Sequence, residues 1–292
     1  MSLVFRALRG IANAVALPVY THFFLNSNLG KEYGLGLYSK LKLMRKLRRN
    51  THRITSGTSW LEQLHLAAAL LSLPNSMKGD VIECGSYKGS SAASLSLICS
   101  IVGRRLFVCD SFEGLPEIAP DDQVHVSVHC KMYEKYKKGD YTGRLEEVQD
   151  NVRKYGVLDC CQFVKGYFEN TLHTLDPMQK FAFIFLDVDL HASLRTCLTQ
   201  LWPRLQEGGY LYTHEAQQLD FASLFFDKHW WKETLGAPAP GLVGCGCGLP
   251  TGIAAGSAIG YTIKRGPEYS VTEDPSFRYF CGDITQAASK SP

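Results

Sequence analysis

The sequence predicts an α/β protein, an open Rossmann-like sheet of mostly parallel strands preceded by a helical extension. Three observations carry that expectation. Short apolar runs at 81–84, 106–109, 161–165, 181–186 and 210–213 alternate with segments of helical periodicity. The first run enters a turn with two glycines, Asp80-Val-Ile-Glu-Cys-Gly-Ser-Tyr-Lys-Gly89, followed by small residues that can open a helix. The second run ends in Asp110, a carboxylate placed where open α/β sheets bind ligands, outside the carboxyl ends of their strands.

The 292 residues, 45% of them apolar, suffice for one large α/β domain and an appendage. Residues 1–57 read as that appendage. Leu3 to Leu25 is apolar but interrupted by Pro18 and His22, too often for a comfortable membrane span, so an interfacial or partner-packing helix is expected. A basic amphipathic helix follows over Tyr38 to Arg53, with Leu37, Leu41, Met44 and Leu47 at helical spacing. Residues 1–60 carry ten Lys and Arg against Glu32 alone, a charge of +9, which leaves −6 for the rest of a chain whose total is +3. Such a head suits a peripheral membrane contact through residues 1–53, a partner subunit in a homo-oligomer, or plain solvent. It lacks the aromatic interleaving of a nucleic-acid surface, and no nucleic-acid partner is expected. The ten cysteines lack paired zinc spacing and read as reduced thiols of a cytoplasmic protein.

Thr58 is expected to cap the next helix, with Leu61, Leu64, Ala68 and Leu71 on one face. Strand Val81–Cys84 leads to a helix from Ser90 to Val102 and to strand Leu106–Cys109. A long connection from Phe112 to Asp140 should shape or cover the site, ahead of a helix over Gly143–Tyr155. Strand Cys161–Lys165 comes next. Phe181–Leu186, an unbroken apolar run, reads as central in the sheet. A helix over Leu194–Leu205, strand Tyr210–Thr213, one helix over Asp220–Leu235, and strands at Val243 and Ala258–Lys264 complete the domain, taken as 58–282, with a loose tail at 283–292.

The spacing Glu-x-Gly-x-x-x-Gly offers fewer close-approach glycines than a dinucleotide cradle, which points to S-adenosylmethionine rather than NAD. Gly85 would let backbone approach the ligand, Gly89 would let the helix pack near the strand, and Asp110 would accept from ribose hydroxyls. The later strand ends are equally informative: one terminates in Asp187-Val-Asp189-Leu-His191, the other in His214-Glu215. Carboxylates converging at one place usually hold a cation or move a proton. Asp187 and Asp189 could also cap the following helix, and His214 could be a hydrogen-bonded histidine without metal.

These residues bring out a resemblance. Gly79-Asp-Val-Ile-Glu-Cys-Gly85, Asp110-Ser-Phe-Glu-Gly-Leu-Pro116, Gly166-Tyr-Phe-Glu-Asn-Thr-Leu172, Leu186-Asp-Val-Asp-Leu190 and Trp202-Pro-Arg-Leu-Gln-Glu-Gly-Gly209 resemble the macrocin O-methyltransferase (TylF-type) family of class I S-adenosylmethionine-dependent methyltransferases, from about Thr58 to Lys264. The resemblance implies a seven-stranded sheet with an antiparallel last strand, and methyl transfer to a hydroxyl of a sugar or similar small natural product with Mg²⁺. It implies a metal-ligand role for Asp187 and a general-base role for Asp189. Where the family has two further Asp ligands, this chain has His214-Glu215, and an imidazole tilts a site from Mg²⁺ toward Mn²⁺, Fe²⁺ or Zn²⁺, or serves as a base itself. The resulting expectation assigns Asp187, His214 and Glu215 to a divalent cation (Mg²⁺ or Mn²⁺) and Asp189 to the proton. Glu83, Gly85, Ser86 and Gly89 are assigned to the methionine end of the cofactor, Asp110 to its ribose, and Ser111, Gly166 and Phe168 to the adenine. The alternative is a catalytically inactive S-adenosylmethionine-binding protein working through its basic leader at a membrane or partner.

Overall fold

The structure, a computed structural model, describes residues 18, 21–122, 124–126, 132–134, 136–244 and 259–266. The parts of the leader before residue 21 other than 18, and the tail at 283–292, lie outside them. Strands β1 (Asp80–Cys84) and β2 (Leu106–Asp110) are followed by a small hairpin of β3 (Val124–Val126) and β4 (Met132–Glu134), then by β5 (Cys161–Lys165), β6 (Phe181–Leu186), β7 (Leu205–Thr213), β8 (Val243–Gly244) and β9 (Gly260–Ile263). All but the hairpin form one seven-stranded sheet in the order β5-β2-β1-β6-β7-β9-β8. The first five of these strands pair in parallel, and β9 runs antiparallel to both β7 and β8. The chain leaves β1 toward β2 and β5, then returns to the other side of β1 as β6. The strand order therefore reverses between β1 and β6, and a ligand crevice belongs outside their carboxyl ends.

The helices cover both faces, as the uninterrupted burial of β6 requires. On one face α1 (Leu37–Arg53), α2 (Trp60–Ser72), α3 (Ser90–Val102) and α4 (Leu145–Tyr155) share a core that includes Leu47, Leu64, Ile98, Val148 and Phe183. After the single turn α5 (Phe168–Thr171), the other face takes α6 (His191–Leu201), α7 (Leu219–Leu224) and α8 (Lys228–Leu235), around Leu198, Phe221 and Trp231. Helix α1 is docked rather than free. Its buried Leu43 and Leu47 join the core, and Asn50 Nδ2 donates to Ser94 Oγ at 3.1 Å. Its outer side leaves Tyr38 and Leu37 77% and 61% exposed. Among the described residues no helix is long and apolar enough to cross a membrane, and their cysteines are free thiols.

Several element boundaries differ from expectation for identifiable reasons. Ser59, not Thr58, caps α2: its hydroxyl accepts from Glu62 N while Glu62 Oε2 accepts from Ser59 N, a reciprocal capping box. The helix expected over Leu194–Leu205 starts at His191 and gives way to a 3₁₀ turn at Trp202–Arg204, because Leu205 already pairs with Phe181 in the sheet. Strand β7 thus begins five residues before Tyr210, with an irregular register around Gly208 and Gly209. The single helix expected over Asp220–Leu235 is two: α7 ends at Leu224, and Asp227 restarts the chain as α8 by accepting from Trp230 N. The long connection contains the β3–β4 hairpin, whose three-residue strands lie below the length at which alternation is legible.

Candidate active site

The β1 turn and the end of β2 build the first wall. After Cys84 the chain turns through Gly85 (φ 87°) and Gly89 (φ 83°) into α3. Asp110 organises this turn: its Oδ2 accepts from Ser86 N at 2.7 Å, Ser86 Oγ at 3.2 Å and Tyr87 N at 3.2 Å, and its Oδ1 accepts from Phe112 N at 2.8 Å. Burial raises the Asp110 carboxyl, and those donors pull the other way. Oδ1 keeps a lone pair for a further donor. A Cβ at Gly85 would lie 1.8 Å from the Asp187 carbonyl oxygen, so the end of β6 itself already demands glycine here. A Cβ at Gly89 would meet Val148 Cγ1 at 2.8 Å, so the helix that Gly89 admits closely is α4.

The second wall comes from β6 and β7. Asp187, His214 and Glu215 bring one donor atom each to within 4.8 Å of one another. His214 Nδ1 lies 3.2 Å from Asp187 Oδ1, and these side chains stay 18% and 21% exposed, reachable from the crevice. On its far side His214 Nε2 lies 4.0 Å from Glu62 Oε1. Glu215 is buried; its Oε1 accepts from Val188 N and Asp189 N, each at 3.1 Å, and its Oε2 accepts from Thr213 Oγ1 at 2.6 Å. Burial, then repulsion from Asp187 and Asp189, pushes the Glu215 carboxyl up to about 7. Burial also works against a charged His214, yet the Asp187 carboxylate, with Glu62 and Glu215 behind it, carries the ring up to about 10. Both shifts report a pocket with excess negative charge.

Asp189 sits in the left-handed region, with φ 60°. The chain has left the strand by then, and Tyr136 O–H donates to Asp189 Oδ1. Neither Asp187 nor Asp189 caps α6. That role belongs to Asp122 in the long connection, whose carboxylate accepts from His191 N and Ala192 N. Tyr136, Tyr87 and Tyr141 form an aromatic group, with Tyr141 edge-on to the other two at 5.6 and 5.5 Å. Burial, then the charges of Asp189 and Asp187, holds the Tyr141 phenol up at about 12, so it remains a donor.

Between the walls lies a cavity of about 280 Å³. Of the residues singled out from the sequence, Gly85, Asp110, Ser111, Phe168, Asp187, Asp189, His214 and Glu215 line it. Ser86 supports it from behind through Asp110. Gly89 and Gly166 shape turns outside it, Gly166 at φ 138°. Glu83 does not reach the cavity. Strand alternation turns it with Val81 beneath the helices of one face, where it is fully buried, and among the described residues neither carboxylate oxygen has a hydrogen-bond partner. Burial lifts its carboxyl to about 8, with nearby Ser91 opposing and Asp187 and Asp110 adding.

Sequence reasoning missed Tyr87, Tyr136, Tyr141, Glu62 and Gln218. Gln218 lines the cavity at 2% exposure with its Oε1 unpartnered. Tyr87 lies in the glycine turn and Tyr136 in the connection expected to shape the site, but nothing local marks either side chain, and the Ser59-x-x-Glu62 capping pattern announces a helix start rather than a site.

The cavity's donors fit the two groups expected from the sequence. Asp110 can take a ribose hydroxyl beside the aromatic surface of Phe168, and a histidine nitrogen with two carboxylates suits a divalent cation of borderline softness.

Comparison with known proteins bears on this site. A family model described as macrocin O-methyltransferase (TylF) matches residues 49–238. An 8-demethyl-8-(2,3-dimethoxy-alpha-L-rhamnosyl)-tetracenomycin-C 4'-O-methyltransferase from Streptomyces olivaceus is 32% identical over 170 residues, which cover 53% of this chain and 64% of the relative. A mycinamicin III 3''-O-methyltransferase from Micromonospora griseorubida is 30% identical over 143 residues, 48% of this chain and 56% of the relative. The chain thus spans less than two thirds of these relatives' length. Among solved structures, the O-methyltransferase NovP superposes with a TM-score of 0.58 at 19% identity, over 77% of this chain and 97% of NovP. The calicheamicin methyltransferase CalS11 reaches 0.52 at 18% identity, over 86% and 91%. At such identities the likeness is one of fold, and it agrees with the seven-stranded sheet described above.

Proposed function

Because the chain belongs to the macrocin O-methyltransferase (TylF) family, we propose that it transfers a methyl group from S-adenosylmethionine to a hydroxyl of a sugar or other small natural product, with a divalent cation assisting. The observation that supports this reading is the placement of Asp187, Asp189, His214 and Glu215 across one cavity from Asp110 and Ser111. S-adenosylmethionine supplies an electrophilic methyl carbon, and a divalent cation lowers the pKa of a neighbouring alcohol.

The chain's own residues do the rest. Asp110 Oδ1 accepts from the ribose, while its Oδ2 keeps the turn rigid through the Ser86 and Tyr87 amides. Ser111 and Phe168 flank the adenine. Asp187, His214 and Glu215 would hold the cation. Asp189 removes the acceptor proton, and Tyr136 fixes the carboxylate that does so by donating to Oδ1. Gln218, with a buried carbonyl in need of a donor, accepts from another hydroxyl of the acceptor. Fixing the acceptor hydroxyl in one orientation would supply much of the rate.

Calorimetry with S-adenosylhomocysteine tests the cofactor half, and Asp189→Asn tests the chemistry. The variant should bind the cofactor product like the parent and lose turnover by about 10²–10⁴-fold. Retained turnover would remove Asp189 as the base, and no cofactor binding by the parent would remove the methyltransferase reading.

A second reading concerns α1, whose exposed Leu37 and Tyr38 stand beside exposed Lys42 and Arg45. That surface suits a peripheral contact with an anionic bilayer. Co-sedimentation with phosphatidylserine vesicles but not phosphatidylcholine vesicles is the expected result.

A further inference from the structure

The cation cluster differs from an all-oxygen site in one donor, and that donor has its own support. His214 offers Nδ1 toward the cluster at 3.2 Å from Asp187 Oδ1. Two atoms that ligate one ion at right angles lie roughly 3 Å apart, given metal–ligand distances near 2.1 Å. Glu215 contributes little freedom: both lone pairs of Oε1 are taken by the Val188 and Asp189 amides, and Oε2 is already bonded to Thr213 Oγ1. It can offer a single oxygen in a fixed direction. The protein therefore presents one nitrogen and two oxygens, one of them held rigidly.

Behind the ring stands Glu62. Its Oε2 is anchored on Ser59 N at 2.7 Å in the capping box of α2, and its Oε1 lies 4.0 Å from His214 Nε2. At 4.0 Å Glu62 acts on the ring through its charge rather than through a hydrogen bond, and a negative charge behind the outer nitrogen makes the inner nitrogen a stronger ligand. The loop ahead of α2 also covers the cluster: a Cβ on Gly57 would lie 3.9 Å from Asp187 Oδ2 and 4.0 Å from His214 Cε1. Helix α2 thus serves the site through a residue more than a hundred positions from either strand end.

We propose that His214, with the Glu62 carboxylate charge behind its outer nitrogen, makes this centre selective for a first-row transition ion, Mn²⁺ included, over Mg²⁺. The inference rests on the reading that Asp187, His214 and Glu215 hold a cation. Mg²⁺ takes oxygen ligands in a near-ideal octahedron and keeps its waters, so an imidazole nitrogen adds little for it. The first-row transition ions gain from an imidazole nitrogen, Mn²⁺ least and the later ions progressively more.

The test uses the full chain, stripped of metal with a chelator and titrated with Mn²⁺ and with Mg²⁺ by calorimetry. Pulsed electron paramagnetic resonance of the Mn²⁺-loaded chain then reads nitrogen at the ion directly. The parent should show ¹⁴N modulation. His214→Asp should lose it, and its Mn²⁺/Mg²⁺ affinity ratio should fall by about tenfold or more. Glu62→Gln, which keeps a capping side chain on Ser59 N, should retain its thermal midpoint and bind Mn²⁺ about 10–100-fold more weakly. Mn²⁺ bound without ¹⁴N modulation, or an affinity ratio unchanged in His214→Asp, would overturn the inference while leaving a cation in the reaction. Unchanged Mn²⁺ affinity in Glu62→Gln would remove Glu62 from it. Failure of the parent to bind any divalent ion would overturn both this inference and the cation-assisted reading, and cofactor-product binding would still judge methyl transfer separately.

Discussion

At the amino end of β1, Asp80 is matched in full. Its Oδ2 accepts from Arg105 Nη2 at 2.8 Å, Arg105 Nε at 3.0 Å and Gln179 Nε2 at 3.0 Å, and its Oδ1 accepts from Arg105 N at 2.9 Å. At the carboxyl end of the same sheet, Asp110, Asp187 and Glu215 have no lysine or arginine partner among the described residues. Asp110 and Glu215 rely largely on backbone amides, and Asp187 on one histidine. The contrast separates carboxylates that join strands from carboxylates kept for something that arrives later. A guanidinium at the crevice would neutralise these acids permanently and occupy the ligand's place. Amide donors stabilise charge without filling space.

Four substitutions would break or sharpen that contrast. Gly85→Ala should have the largest effect, because its Cβ would fall 1.8 Å from the Asp187 carbonyl at φ 87°. A loss of about 4 kcal/mol or more is expected in urea unfolding, since backbone is the obstacle and cannot rotate away. A mild variant would mean that the two walls are less tightly joined than the strand ends imply. Asp110→Asn should come next. It replaces charge-assisted bonds with weaker ones and sets an amide N–H against the donors of Ser86 and Tyr87. Calorimetry should show S-adenosylhomocysteine affinity down by about 10²-fold, near 2.7 kcal/mol.

Glu83→Gln tests the buried acid at pH 9 against pH 5. A carboxyl raised from 4.5 to about 8 binds its proton more tightly folded than unfolded. Its cost is absent below pH 4.5 and grows until about pH 8. Thermal melts should find the variant close to the parent at pH 5 and more stable at pH 9, by on the order of 2 kcal/mol. Equal differences at both pH values would mean that Glu83 is already satisfied in the folded chain. Asp80→Asn should do least. Arg105 is 59% exposed though Asp80 is only 17%, and an asparagine keeps part of the hydrogen bonding, so about 1 kcal/mol is expected, read as a midpoint shift in denaturant with no change in cofactor binding.

Much of this site was legible along the chain because its members end strands. The apolar runs of β1, β2 and β6, and the residues Asp110, Asp187, His214 and Glu215 that follow strands, are local features. In a parallel sheet the carboxyl ends must meet at the order reversal, so their convergence follows from hydrophobic periodicity and the placement of glycines. Folding decided what no local pattern encodes. Strand alternation sent Glu83 under the helices and away from the cavity. The connection after β2 returned Tyr136 to Asp189 and Asp122 to the start of α6, across 53 and 69 residues. Capping of α2 left one oxygen of Glu62 facing His214. These are contacts between side chains on elements distant in sequence, where direction depends on packing in three dimensions, and helical or strand period carries no information about it.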